Sequence, residues 1–157
     1  MKLHSATVYC IAIFVAALVA ALQAEDAKAE IEPFIEVGTT IYELQATQGA
    51  VGLTWNDKYE ISRKFVGRGE NKYGHHTPQA KIWNVDRLIY PGWFNDSTFM
   101  LIGISKIDVS NLVGTYNYHL GAGYKWNTGK LYLEHYSSAD INEQNTGVNM
   151  ITLRLDL

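Results

Sequence analysis

From about residue 30 onward, apolar and polar side chains alternate with period two in run after run. Val, Ile, Thr, Tyr, Phe and Trp recur at every second position, and Asn, Asp and Gly cluster between the runs. Successive side chains of a strand point to opposite faces, so each run predicts a strand with one apolar and one polar side. Eight such strands are predicted: Phe34–Leu44, Ala50–Trp55, Tyr59–Phe65, Ile82–Tyr90, Thr98–Lys106, Val113–Trp126, Lys130–Ser137 and Asn149–Leu157.

The connections alternate as well. Asn56-Asp57-Lys58 and Asn127-Thr128-Gly129 read as tight hairpin turns, and Pro91–Ser97 as an intermediate one forced by Pro-Gly. Val66–Lys81, Ile107–Leu112 and Ser138–Val148 are longer and more polar. With both termini on the periplasmic side, the short connections share that side. The long ones share the outer side, apart from a short first loop near Gln45–Gly49. This asymmetry is characteristic of bacterial outer-membrane barrels. Trp55, Trp93 and Trp126 stand at or beside the three short turns, with Tyr59 and Tyr90 nearby, as an interfacial aromatic girdle requires. The expected fold is therefore all-β, an eight-stranded antiparallel transmembrane β-barrel of the outer-membrane type. Its soluble rival is a secreted, lipocalin-like ligand carrier, also eight-stranded but with apolar side chains inside.

The N-terminus changes the picture from fold to location. Lys2 and His4 precede the unbroken apolar run Ile11–Leu22, and Gln23-Ala24-Glu25-Asp26 turns abruptly polar. This order reads as a secretory signal peptide over residues 1–24, cleaved after Ala24 or, at the cleaner A-x-A of Ala27-Lys28-Ala29, after Ala29. Residues 25–157 then form a single barrel domain. Cleavage removes Cys10, the one cysteine of the 157 residues, so no disulfide framework or Cys-cluster metal site is available to the mature chain. The expected location is the bacterial outer membrane. Thirteen Lys and Arg against 16 Asp and Glu give a net charge of −3, which argues against a nucleic-acid partner.

Candidate chemistry lies in the last hairpin. Strand parity puts Leu131, Leu133, His135 and Ser137 on one face of the seventh strand, with Lys130, Tyr132, Glu134 and Tyr136 on the other. The eighth strand divides into Asn149, Ile151, Leu153, Leu155 and Leu157 against Met150, Thr152, Arg154 and Asp156. The leucine-rich faces must meet lipid, which carries His135 and Ser137 to the outer wall near the outer rim. A hairpin closing over Ser138–Val148 can set Asn149 directly opposite His135. Serine, a histidine two residues earlier on the same face and a third group fixing the imidazole tautomer are the parts of nucleophilic acyl transfer. An ester in an outer-leaflet lipid is the natural substrate at that height.

His135-Tyr136-Ser137, followed by Asn145-Thr146-Gly147 and by Asn149 opening a final amphipathic strand, resembles the C-terminal motif of the PagL-type lipid A 3-O-deacylases. The similarity is specific over Leu131–Leu157 and architectural before that. It implies an eight-stranded outer-membrane barrel acting on the ester-linked acyl chain at position 3 of lipid A. His135 is then the general base and Ser137 the nucleophile, with no metal or other cofactor. Two positions depart from the family pattern. Asn149 stands where the family has the acid of its triad; it can orient His135 but not stabilise an imidazolium by charge. Ser138 stands where the motif continues with Asn as an oxyanion donor, and its hydroxyl or a nearby backbone N–H is the substitute. Asp140 and Glu143 are candidate replacement acids on the loop, whereas Glu134 points the other way. The implied partners are lipid A, or lipopolysaccharide, and the outer membrane; pairing of two barrels into a homodimer stays open.

Other features read more plainly. His75-His76 point apart and have no third ligand at metal spacing, so a solvated loop is expected. His119 reads as a hydrogen-bonded barrel histidine. Gly67-Arg68-Gly69 lacks the helix of a phosphate loop, but Arg63, Lys64 and Arg68 are expected to meet lipid A phosphates. Gly121 and Gly123 are expected to relieve crowding in a bent strand. Besides the esterase, the competing functions are a catalytically silent barrel with a structural, adhesive or lipid-binding role, and the soluble carrier.

Overall fold

The computed structural model describes residues 30–157 apart from 42, 43, 72–75, 93, 94, 109–112 and 139–146. Residues 1–24, expected to be a signal peptide, and His75, Trp93, Asp140, Glu143, Asn145 and Thr146 lie outside the described residues.

Eight strands form the wall: β1 (Ile31–Ile41), β2 (Thr47–Trp55), β3 (Tyr59–Val66), β4 (Ala80–Ile89), β5 (Thr98–Ile107), β6 (Tyr116–Trp126), β7 (Gly129–Ser137) and β8 (Val148–Asp156). Each pairs antiparallel with the next, and β1 closes the barrel against β8 from Phe34↔Asp156 to Ile41↔Asn149. Closure leaves no unpaired edge, the condition for a sheet to stand in hydrocarbon.

The β2–β3 turn shows how the sequence sets the register. Asn56 and Asp57 both have positive φ, 52° and 50°, and the Lys58 N–H donates to the Trp55 carbonyl at 3.0 Å. This mirror-image turn matches strand twist and favours Asn and Asp, which tolerate the left-handed region.

The faces are sorted inside out. Val37, Val51, Leu53, Ile61, Met100, Ile102, Leu120, Leu131, Leu133, Ile151 and Leu155 are exposed on the outer wall, while Glu36, Glu60, Lys64, Asp86, His119, Glu134 and Arg154 are buried inside. A lipocalin-like barrel would place the apolar set within, so the soluble carrier is excluded on this sorting. The lumen is filled by side chains. Phe99 and Tyr132, ring centroids 5.6 Å apart, pack with Leu88 and Leu101 toward the short-turn end. Val66, Ile82, Ile107, Tyr136 and Met150 pack toward the other. Gly123 lies where any Cβ would come within 2.4 Å of the Tyr132 Cβ, so it makes room for that ring.

Several boundaries differ from the sequence reading, the first strand among them, which runs Ile31–Ile41 rather than Phe34–Leu44. The second strand starts at Thr47 rather than Ala50, because its ladder with β1 runs on to Thr39↔Thr47. The polar stretch after β3 is not all loop: Gly69–Asn71 and His76–Thr77 form a small sheet with Leu44–Gln45. The sixth strand starts at Tyr116, and Val113 instead tucks into the apolar cluster inside. Trp55 and Trp126 do stand at short turns, paired with Tyr59 and Gly129 respectively.

Candidate active site on the outer wall

The β7–β8 ladder sets Leu131↔Leu153, Leu133↔Ile151 and His135↔Asn149 as cross-strand partners. Its outer face is therefore apolar for two rows and then abruptly polar. His135, Ser137 and Asn149 are all half-buried. The His135 Nδ1–H donates to the Asn149 Oδ1 at 2.8 Å. An amide oxygen only accepts, so the proton sits on Nδ1 and the lone pair on Nε2. Ser137 follows on the same face of β7, its Cα about 7 Å along the strand, opposite the exposed Tyr118 of β6.

Gly147 completes this wall and was missed as a site residue. It has φ +67°, and a Cβ there would lie 2.7 Å from the imidazole Cε1 and 3.4 Å from Nε2. Both its backbone and its neighbour exclude a side chain. The signal available in the sequence was a glycine two residues before Asn149. Ser138, just past the end of β7, is fully buried. Its hydroxyl is not presented on the wall.

Behind His135, the other face of β7 is anchored in the lumen. Glu134 accepts from Lys64 and from Thr152, from His119 Nε2 at 2.8 Å and from the Tyr136 hydroxyl at 3.1 Å. His119 turns its Nδ1 to Asp86 at 2.8 Å and stacks on Tyr136, ring centroids 4.3 Å apart. It is the hydrogen-bonded interior histidine expected of it. Lys64 also faces Glu36 at 3.5 Å, and Tyr132 donates to Glu36. Five strands thus converge on the inner side of the strand that bears the imidazole, a network in which every partner restrains the others.

This arrangement corrects the expectation for the basic residues. Lys64 is 1% exposed: one residue beyond Arg63, strand parity turns it into the lumen, away from any lipid phosphate. Arg63 does face outward, but β3 is four strands from β7 in either direction around the barrel. It therefore stands on the wall opposite His135. Arg68 is exposed on the connection after β3. The three do not form one subsite beside Ser137. Among the described residues no three His, Cys, Asp or Glu side chains are grouped to hold a metal.

The family model described as Lipid A 3-O-deacylase (PagL) matches residues 92–157. The match starts just ahead of β5 and includes His135, Ser137, Gly147 and Asn149. The resemblance seen in the last hairpin thus holds and extends upstream to residue 92. No curated protein and no solved structure matches the chain. The match lends no support to pairing of two barrels.

Proposed function

We propose that this chain is an outer-membrane esterase that removes the ester-linked acyl chain at position 3 of lipid A. The family match supports lipid A 3-O-deacylation in general. The observation that carries the finer reading is the His135–Asn149 hydrogen bond of 2.8 Å on an apolar outer wall, with a serine next on the same face.

The chemistry follows from the tautomer. Nε2 takes the Ser137 proton as Oγ attacks the ester carbonyl, giving a tetrahedral oxyanion that a backbone N–H near Ser138 stabilises. Collapse breaks the acyl–oxygen bond, and the Nε2 proton passes to the sugar oxygen. Water, deprotonated by the same nitrogen, then releases the fatty acid from Ser137. Leu131, Leu133, Leu120 and Ile151 line the wall toward the membrane interior, where the scissile acyl chain lies.

The test is incubation of the folded protein with lipid A in detergent, followed by mass spectrometry. Loss of one 3-hydroxyacyl chain is expected, and Ser137→Ala lowers the rate by about a thousandfold or more. No product from the intact protein, or equal product from Ser137→Ala, rejects the reading. One observation favours a second reading, a catalytically silent barrel: the partner of His135 is an amide and not a carboxylate.

A further inference from the structure

The outer wall away from the dyad carries a cluster of cations that the esterase reading does not use. Arg63 on β3 is paired with Trp83 on β4, Trp83 with Lys106 on β5, and Lys106 with Tyr116 on β6. These residues form one continuous row across four strands. Next to it on the same faces, Phe65 is paired with Lys81.

The Arg63 guanidinium carbon lies 5.3 Å from the Phe65 ring centroid and 5.1 Å from that of Trp83. The two rings flank it on the wall. Its Nε is buried and has no hydrogen-bond partner among the described residues. The Lys106 Nζ lies 5.9 Å from the centre of the Tyr116 ring. A recess beside the row is lined by Phe65, Gly67, Gln79 and Lys81. Asp108 adjoins the patch and accepts from the Lys81 backbone N–H at 2.7 Å, so among the described residues three cations stand beside one acid.

An arginine on a lipid-facing strand is costly unless an anion meets it, and a guanidinium suits the geometry of a phosphate. Aromatic rings interleaved with cations are the composition of the membrane interface, where a ring contacts the acyl boundary and a cation the headgroup. On β6 to β8 and β1, the described outward side chains are aliphatic, aromatic or uncharged polar apart from His135. The positive charge of the outer wall is therefore concentrated on β3 to β5, four to two strands away from the β7 that bears His135.

We propose that Arg63, Trp83 and Lys106, flanked by Phe65 and Lys81, form a docking site for the phosphate-bearing headgroup of an outer-leaflet lipid, separate from the His135 dyad. The membrane placement is taken from the proposed function, but the esterase chemistry is not. The site binds a lipid that is not hydrolysed there, since no nucleophile and base accompany it among the described residues.

The experiment is native mass spectrometry of the folded full chain released from detergent, with phosphatidic acid, phosphatidylcholine and inorganic phosphate as separate probes. Phosphatidic acid is expected to be retained at least fivefold over phosphatidylcholine. Arg63→Gln and Lys106→Gln each bring that ratio close to one, while Arg63→Lys keeps part of it. Lys106 is exposed, so its variant reports even if Arg63→Gln disturbs the barrel. Ser137→Ala keeps the full ratio, which separates this site from the esterase reading. The proposal is overturned by equal retention of the two lipids, or by a ratio untouched in Arg63→Gln and Lys106→Gln. Inorganic phosphate displacing the lipid at equal concentration identifies a free-anion site and overturns it too.

Discussion

Asn149 fixes the His135 tautomer as a carboxylate would, yet contributes no charge when the imidazole takes a proton. Orientation and charge are separable, and this chain retains the first. Asn149→Glu is therefore expected to raise the deacylation rate by about tenfold or more, since the acid can stabilise the imidazolium at the transition state. Release of 3-hydroxyacyl product over time from lipid A measures this, and a slower variant counts against the assignment. Gly147 gives the complementary case. A methyl there meets the imidazole edge at 2.7 Å and must also hold φ +67°. Gly147→Ala is expected to cost about 1–2 kcal/mol of stability and to lower the rate by about tenfold or more, through displacement of His135. Circular dichroism melting and the same product assay separate the two effects. That His135, Ser137 and Asn149 share the outer face of the last hairpin was legible from strand parity alone. Gly147 was not, because its role depends on where the β7–β8 connection returns against a ring twelve residues earlier.

The short turns tie elements that the hairpin ladder alone does not join. Asp57, in the β2–β3 turn, accepts from the Tyr90 hydroxyl at 2.7 Å just past β4, and from Lys125 Nζ at 3.0 Å near the end of β6. Partial burial pushes the Asp57 carboxyl upward, but the Tyr90 and Lys125 hydrogen bonds outweigh it and hold the carboxyl below its usual value of 3.8. A group with a depressed folded value stabilises the fold above its unfolded value and loses that contribution as pH falls through the folded one. Heat resistance is therefore expected to decline below about pH 4, and Asp57→Asn should flatten that decline. Folded and unfolded bands on cold SDS gels, after heating at pH 7 and pH 3, supply the comparison. The elements themselves were readable because alternation and turn residues agree. The small sheet joining Leu44–Gln45, Gly69–Asn71 and His76–Thr77 was not, since strands of two or three residues are too short to show a period.

Across the whole molecule, the barrel is held from within by charge and from without by lipid. Lys64 and Glu134 meet across the lumen although 70 positions separate them in the chain. Removing one member of a buried pair leaves the other uncompensated, which typically costs about 3–5 kcal/mol. Lys64→Met is thus expected to lower the heat-modification midpoint by about 5 °C or more. Adding Glu134→Gln should recover part of the loss, and a fully additive double variant would show that the pair is uncoupled. These cross-lumen partners were hidden in the sequence. Parity tells which residues point inward, but only closure and register decide who meets whom. Arg63 and Lys64 are a different case: they adjoin in one strand, and parity alone sets them on opposite sides of the wall.

The occupied lumen has a further consequence for traffic. A cylinder filled by Arg154, Lys64, Phe99 and Tyr136, each no more than 1% exposed, is a post and not a conduit. On the proposed esterase reading, a substrate for His135 arrives by diffusing sideways within the leaflet, and the liberated fatty acid departs by the same lateral route. Turnover would then follow the fluidity and crowding of the surrounding lipid layer, and no solute gradient across the envelope would drive it.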